Sequence, residues 1–321
     1  MTARIVLLVT SPRLPAGLLT AAAWDLVRAH PVFTAADGEQ PDALRAAGVP
    51  VTLIDPDPEF LVRALAQHPT LVWLAGAGGD EDFARRLGLR LAREPALAEL
   101  ELMYGSWDPP GARLLDAVAV LDRLISPGGD PWKQQQTHQS LAPYLLEEAY
   151  EAYDAIAEGD LDALREELGD VLLQVVLHAR LAEDLPDDER WSIDDVAGGL
   201  VDKLIRRNPH VFAGVPVANL DEITDNWERI KKAEKDRDSV LDGIALSQPA
   251  LALAAKILQR AERAGLAVPG PSGSDLGATL LALVAQARTD GLDAEAALRR
   301  AALEYADRVR AAESEIVGPA E

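Results

Sequence analysis

Short apolar runs alternate with amphipathic runs over the first hundred residues. The apolar runs lie at residues 4–10, 51–54, 71–75 and 100–104, and they have the length of buried strands. The amphipathic runs lie at residues 18–28, 60–66 and 82–92, and they have the period of helices. This alternation predicts an α/β domain with a mainly parallel sheet.

Residues 109–116 begin the connection to a helical part, where carboxylates recur at helical spacing. Glu148 and Glu151 project from one face of a predicted helix, because residues three apart on a helix are neighbours. Glu167 and Asp170 form the same kind of pair on the next predicted helix. Each of the two helices therefore carries a carboxylate pair.

The link between these helices, residues 158–160, is short and contains a glycine. Such a link predicts an antiparallel helical hairpin, which can bring the two carboxylate pairs to a common site. Converging carboxylates repel one another unless cations lie between them. Oxygen ligands without His or Cys favour Mg²⁺, with Mn²⁺ as a substitute, over zinc.

The alternative is that these carboxylates form only a solvated helix face, which we expect for Asp154. The surroundings of Glu167 and Asp170 favour the metal interpretation, because these residues continue into Gln174 and His178 as one polar stripe on an otherwise apolar helix. A helix that is apolar all round is normally buried, and polar groups within it need partners or a metal.

Six stretches of the sequence, taken in order, closely resemble a MazG domain. They are residues 128–133, 136–141, 144–151, 166–170, 202–212 and 226–231. The resemblance covers about half of the chain, and it implies an all-α nucleoside triphosphate pyrophosphohydrolase that forms dimers or larger homo-oligomers. Such enzymes convert a nucleoside triphosphate to its monophosphate and pyrophosphate with Mg²⁺.

The resemblance also implies roles for single residues. The metal ligands would be Glu148, Glu151, Glu167 and Asp170, which stand at the family's Glu-Glu-x-x-Glu and Glu-x-x-Asp positions. Glu147 and Glu166 would be catalytic, by orienting the attacking water or supporting the ligands. Sequence alone does not separate base from ligand, since neighbouring carboxylates titrate as a coupled set.

Five further residues would bind the substrate by resemblance. Trp132 would stack on the base and Gln136 would hydrogen-bond its edge, while Lys203, Arg207 and Trp227 would contact the rest of the nucleotide. Lys203 and Arg207 lie four residues apart, so both can project into one cleft from one helix.

Two other signals have plainer interpretations. His138 precedes the first carboxylate helix, and a lone His there is expected to be a capping or packing residue. The glycines of residues 76–79 follow an apolar strand and could cradle a phosphate. A simple strand-to-helix turn is the favoured interpretation, because a single glycine cluster is a common feature.

The chain is expected to comprise a truncated α/β domain at residues 1–108, the MazG catalytic all-α domain at 109–238, and a degenerate MazG-like all-α domain at 239–321. The first resembles a tetrapyrrole methylase through residues 18–27 and its α/β order, but residues 10–15 replace the family's glycine-rich loop. We therefore expect a structural or partner-docking module that does not bind S-adenosylmethionine. Residues 275–288 align with 167–180 as an internal repeat, in which Ala278 stands where Asp170 would be.

Composition narrows the class of protein. The 321 residues are 48% hydrophobic and include no cysteine, which excludes disulfides and thiolate chemistry. The formal net charge of −22 opposes binding to nucleic acid or to an anionic membrane, and a cytoplasmic enzyme is expected. The competing interpretations are an acidic adaptor without activity, a phosphoribosyl-ATP-type pyrophosphohydrolase, and a methyltransferase.

Overall fold

The computed structural model describes residues 3–234, 238–270, 273 and 275–317. The chain divides into two compact units, Met1–Leu200 and Val201–Glu321. The first unit contains an α/β part followed by helices, and the second is helical where it is described. The α/β and all-α character predicted from the sequence is confirmed. The two predicted domain boundaries, at residues 108 and 238, stay a prediction.

A five-stranded sheet organises the α/β part. Its strands are β1 (Arg4–Val9), β2 (Val32–Thr34), β3 (Val51–Leu53), β4 (Thr70–Leu74) and β5 (Glu99–Tyr104). The strand order is β3-β2-β4-β1-β5, and the described pairings are parallel. The connecting helices are α1 (Ala21–Ala29), α2 (Glu39–Ala46), α3 (Pro58–Ala64) and α4 (Glu81–Arg93).

Helices cover both faces of this sheet, which is why β1 is apolar at successive positions. Val6 and Leu8 pack into a core with residues of α1 and α2. Ile5 packs into the opposite core with Trp73 and with Leu61 of α3. The alternation of neighbouring β1 residues between two cores follows from the two-residue period of a strand.

The glycine-rich turn after β4 is a strand-to-helix connection, as the favoured interpretation predicted. Asp80 ends the turn in the left-handed region, with φ of 38°. Its carboxylate accepts hydrogen bonds from the Trp73 indole N–H at 2.9 Å and from the Gly76 backbone N–H at 3.2 Å. The turn is therefore held by its own aspartate.

The helical part of the first unit follows β5. It contains α5 (Arg113–Ile125), a 3₁₀ turn (Lys133–Gln135), α6 (His138–Glu158) and α7 (Leu161–Glu183). The next helix, α8 (Ile193–Arg207), begins in the first unit and ends in the second. Helices α6 and α7 form the predicted hairpin. Gly159 ends α6 in the left-handed conformation, with φ of 74°, and the Asp160 carboxylate caps the first turn of α7.

An ion-pair cluster joins the α/β part to α5. The Arg13 guanidinium, in the loop after β1, donates to both carboxylate oxygens of Asp116 at 2.8 and 2.6 Å. It also pairs with Asp108, which accepts from the Ser11 hydroxyl. Hydrogen bonds from Arg13 and then from Arg113 hold the pKa of Asp116 below its ordinary value. Helix α5 in turn packs on α7 through Ile125.

The second unit contains α9 (Pro209–Phe212), α10 (Leu220–Ala233), α11 (Ala250–Arg263), α12 (Leu276–Thr289) and α13 (Ala294–Val317). Helices α11, α12 and α13 pack against one another, and Val284 of α12 is buried. The helix predicted at residues 294–315 is confirmed. Among the described residues, no helix combines the length and apolar character needed to cross a bilayer.

Two expectations differ from the structure. The pattern predicts neither β2 nor α2, because a three-residue strand is too short to show a period. The expectation that α7 is buried on nearly every side holds only in part, because Leu168 is 53% exposed in this single chain.

Candidate metal centre

The helical hairpin brings three carboxylates together. Glu148 and Glu151 lie on α6 and Glu167 lies on α7, and one ligand oxygen of each lies within 4.8 Å of the others. Glu148 and Glu167 are half-buried, whereas Glu151 is exposed. We call these three residues the acid cluster. Its geometry follows from the spacing of three on α6 and from the short link that folds α7 back.

Asp170, the fourth predicted metal ligand, is linked to the acid cluster by the effect of its charge on Glu148 and Glu167. It lies one turn beyond Glu167 on α7 and is half-buried. Burial, followed by the nearby charges of Asp170 and Glu151, raises the pKa of Glu148. Burial and the charges of Glu151 and Asp170 also raise the pKa of Glu167. The charges of Glu151 and Asp170 therefore act on both Glu148 and Glu167.

The acid cluster suits a hard divalent cation. Each raised pKa means that the ionised carboxylate costs free energy in its present surroundings. A cation between the carboxylates would offset that cost, and oxygen is the donor that Mg²⁺ and Mn²⁺ prefer.

Glu147 and Glu166, the predicted catalytic residues, are the sequence neighbours of Glu148 and Glu167, but they are not members of the acid cluster. Both are exposed, and neither belongs to the group of converging ligand oxygens. They are positioned on the same two helices, next to Glu148 and Glu167. Their catalytic role stays a prediction.

The segment before α6 presents the predicted base contacts. The Trp132 ring is 50% exposed and meets Tyr144 edge to face, with ring centroids 5.9 Å apart. The Gln136 amide donates to the Trp132 carbonyl at 2.8 Å and accepts from the Ser140 hydroxyl at 2.7 Å. Trp132 thus keeps half of its surface exposed, with the Lys133 ammonium 5.6 Å from its ring centroid, while Gln136 already supports the start of the helix.

The remaining predicted substrate contacts belong to the second unit or to the helix that enters it. Lys203 and Arg207 both lie on α8, and Trp227 lies on α10. The Arg207 guanidinium carbon is 5.4 Å from the centroid of the Trp227 ring. Arg207 also forms an ion pair with Glu234, at 2.5 Å between Nη2 and Oε2.

Glu234 is a residue whose importance the sequence did not signal, because it stands among the alternating charges that follow α10. It binds Arg207 and, at 2.7 Å, Arg206. Hydrogen bonds from these two arginines lower its pKa to about 2. The pair fixes the guanidinium of Arg207 in position.

A second polar contact joins the hairpin beyond the acid cluster. The Nδ1 atoms of His138 on α6 and His178 on α7 are 2.7 Å apart, so one of them donates to the other. The two rings are parallel, and the Trp191 ring stacks near His138 with centroids 6.2 Å apart. His138 is therefore a packing and hydrogen-bonding residue, as expected, but its partner could not be identified from sequence spacing.

The fold and the acid cluster indicate an enzyme whose all-α centre is lined by carboxylates and suits a divalent cation. Residues 136–212 match the family model described as the MazG nucleotide pyrophosphohydrolase domain. Together with the similarity to a MazG protein of Thermotoga maritima, given next, this match shows that the chain belongs to the MazG family of nucleotide pyrophosphohydrolases. The matched segment contains the whole acid cluster, Asp170 and Lys203.

Curated relatives extend this similarity. The chain is 36% identical over 219 residues to a Thermotoga maritima protein named nucleoside triphosphate pyrophosphohydrolase/pyrophosphatase MazG, covering 61% of this chain and 83% of that protein. It is 52% identical over 238 residues to an uncharacterised 26.1 kDa protein of Streptomyces cacaoi, covering 74% of this chain and 96% of the relative.

A Mycobacterium tuberculosis protein named nucleoside triphosphate pyrophosphohydrolase is 47% identical over 206 residues. That match covers 64% of this chain and 60% of the mycobacterial protein, so it leaves a substantial part of each outside the alignment.

Proposed function

We propose that the chain hydrolyses ribo- and deoxynucleoside triphosphates to monophosphate and pyrophosphate with Mg²⁺, for which Mn²⁺ can substitute. The observation that carries this proposal is the convergence of Glu148, Glu151 and Glu167 within 4.8 Å on one hairpin of the matched MazG segment. Asp170, whose charge contributes to the raised pKa of Glu148, would be the fourth ligand. The activity in the names of the relatives supports the reaction.

The residues present fit Mg²⁺. All four side chains offer carboxylate oxygens, which Mg²⁺ prefers. The chain has no cysteine, so no thiolate can take part in the site. When bound, the cation would neutralise the triphosphate and lower the pKa of a coordinated water.

Side chains of the protein would activate the water and bind the substrate. Glu147 or Glu166 would hold the attacking water and receive its proton, since both are exposed beside the ligands. Lys203 and Arg207 would bind phosphate oxygens through their positive charges. Glu234 would keep Arg207 oriented for it. Trp227, whose ring lies next to Arg207, would also contact the substrate.

The base contacts support a broad substrate range. Trp132 offers an exposed indole, and every base has a π-face that can stack on it. A site that binds the triphosphate through carboxylates and cations, and the base by stacking, fits removal of aberrant or surplus nucleotides. We expect this role to be carried out in the cytoplasm.

The exposed apolar residues of the hairpin support a homo-oligomer, a dimer or larger. Leu146 is 58% exposed on α6, and Ile156 and Leu168 are exposed to a similar degree. Apolar side chains clustered on one hairpin are typical of a surface that another subunit covers. Light scattering coupled to size exclusion would measure the mass, and a monomer at micromolar concentration would contradict this part of the proposal.

The decisive experiment is a ³¹P NMR product assay with Mg²⁺ and a panel of normal and damaged nucleoside triphosphates. We expect monophosphate plus pyrophosphate, with turnover lost in Glu167→Gln and retained in the matched control Glu158→Gln at the exposed end of α6. Diphosphate plus orthophosphate would indicate a different phosphatase. No turnover of any substrate would favour the acidic adaptor.

A further inference from the structure

Strand β5 is an open edge of the five-stranded sheet. It pairs with β1 on one side, and the described strands leave its other side without a neighbour. The Glu99 backbone N–H donates to the Ala3 carbonyl at 2.8 Å, so the odd-numbered residues of β5 direct their backbone groups towards β1. Because these groups alternate in direction along a strand, those of the even-numbered residues point outward. The outward residues are Leu100, Leu102 and Tyr104, and their N–H groups have no hydrogen-bond partner within the described ranges.

The side chains of Leu100, Leu102 and Tyr104 form an apolar row on one face of β5, which we call the edge row. Leu100 lies beside Ile5 in the register of the sheet. Leu102 and Tyr104 are each 56% exposed. The Glu101 carboxylate belongs to the opposite face, so the edge row itself carries no charge. Edge strands are usually protected by charged residues or proline, and an apolar row with unused backbone donors is typical of a surface that another strand joins.

The edge row is complementary to itself. Two antiparallel β5 strands with a two-fold axis at Leu102 would place Leu102 of one copy opposite Leu102 of the other, and Leu100 opposite Tyr104. Every member of the row then faces another member. These are also the residues with outward backbone groups, so each facing pair can exchange two hydrogen bonds, about six in all. An axis at Met103 would leave Leu100 without a partner in the row.

The charges of β5 agree with the same register. With the axis at Leu102, Glu101 would lie opposite Met103 of the other copy, and Glu99 opposite Gly105. No carboxylate would then directly face another carboxylate. An axis one residue earlier would place the two Glu101 side chains opposite each other, which is unfavourable for like charges. A second copy of the chain therefore supplies both the apolar row and the spacing of charges that this edge requires.

We propose that two copies of the chain associate through β5 and join their sheets into one continuous sheet across a two-fold axis at Leu102. This surface belongs to the α/β part and is separate from the apolar surface of the α6–α7 hairpin. The inference goes beyond the proposed hydrolysis and does not depend on it. It assigns a docking role to a domain whose sequence predicts a structural or partner-docking module.

The first test measures mass by light scattering coupled to size exclusion at micromolar concentration. Leu102→Lys would place two ammonium groups opposite each other at the axis, so the mass should fall to about half or less. Leu102→Glu should have the same effect, and an equimolar mixture of the two variants should regain the mass of the unaltered chain. The matched control is Leu53→Lys on β3, the other edge of the same sheet, where Leu53 is 49% exposed. This control should leave the mass unchanged.

The absence of cysteine from the chain allows a second, direct test. Residues that face each other in a hydrogen-bonded antiparallel pair have Cα atoms about 5.5 Å apart, which a disulfide can span. Leu102→Cys should therefore form a disulfide-linked dimer when oxygen and a copper catalyst are added, as seen by non-reducing electrophoresis. Leu53→Cys, treated in the same way, should remain a single chain.

The two tests separate this inference from the other proposals. An unchanged mass in Leu102→Lys, a mixture of the Lys and Glu variants that stays dissociated, or equal cross-linking of the two cysteine variants would each overturn the pairing through β5. The hairpin surface and the proposed hydrolysis would then be unaffected. A monomeric unaltered chain would overturn both proposed interfaces and leave the hydrolysis to be judged by its own product assay.

Discussion

Replacing Glu148 by Gln should raise the stability of the metal-free protein and abolish its response to Mg²⁺. The substitution removes one negative charge from the acid cluster and keeps the shape of the side chain. Glu148 has a raised pKa because it is partly buried and lies near Asp170 and Glu151. Loss of its charge therefore removes a repulsion that the folded chain carries without a cation.

The magnitude follows from the geometry. The ligand oxygens of the cluster lie within 4.8 Å of one another. Two unit charges about 4 Å apart repel by about 1 kcal/mol in water. Because Glu148 is partly exposed, we expect solvent screening to limit the total gain to about 1 kcal/mol. For a unit of this size, that gain corresponds to a rise of about 2–4 °C in Tm.

The assay is thermal unfolding with and without Mg²⁺. In the unaltered chain, a Mg²⁺ concentration of about 100 times Kd should stabilise the fold by about 2.7 kcal/mol. In Glu148→Gln, the metal-free Tm should be higher, the Mg²⁺-induced rise should be small, and turnover should fall by about 100-fold or more. Glu158→Gln, on the same helix, should change the stability by less than about 0.5 kcal/mol.

A metal-free Tm that falls in Glu148→Gln, together with an undiminished Mg²⁺ response, would refute this reasoning. It would mean that Glu148 makes a stabilising contact instead of a repulsive one, and that the cation binds elsewhere.

Three further predictions concern other parts of the chain. Glu234 has a lowered pKa, so its ion pair with Arg207 should be fully formed above its ordinary pKa of about 4.3 and lost only as the pH falls through about 2; carboxyl ¹³C NMR should find Glu234 ionised at pH 3 in the unaltered chain and largely protonated when both partners are removed in the double variant Arg206→Ala/Arg207→Ala. Asp80→Ala leaves the buried Trp73 indole N–H without its acceptor and should lower the free energy of unfolding by about 1–3 kcal/mol in urea titrations, whereas an unchanged midpoint would contradict the role of Asp80 in holding the turn. Trp132→Ala should weaken the binding of every nucleotide by about 1–3 kcal/mol through lost stacking, and kcat/KM ratios between bases should stay constant.

Much of the fold follows from local pattern. The strands β1, β3, β4 and β5 lie within a residue or two of the predicted apolar runs. In β1 and β4 the signal is continuous because these strands are buried on both faces. The hairpin was also predictable, since the Glu-Gly-Asp link supplies the left-handed glycine and the capping aspartate that such a connection needs. Glu148, Glu151 and Glu167 converge because their spacing is local to that hairpin.

What the sequence could not predict depends on distant contacts. The pairing of His138 with His178 joins residues 40 positions apart, and no spacing rule connects them. Glu234 looks like a surface charge until Arg206 and Arg207 are found beside it. The exposure of Leu168 depends on what covers α7, and the sequence of one chain does not contain that information.

The two-residue link of Gly159 and Asp160 makes the acid cluster a feature of low contact order. All four predicted ligands lie between Glu148 and Asp170, so the site requires no pairing between distant parts of the chain in order to assemble. Local contacts of this kind form early and quickly during folding. A hairpin that encodes its own site can also be copied as a unit, and it can lose its chemistry by a few substitutions while it still folds. Helix α12 repeats the sequence pattern of α7 but has Ala278 at the position of Asp170, as expected of a copy that has lost a metal ligand.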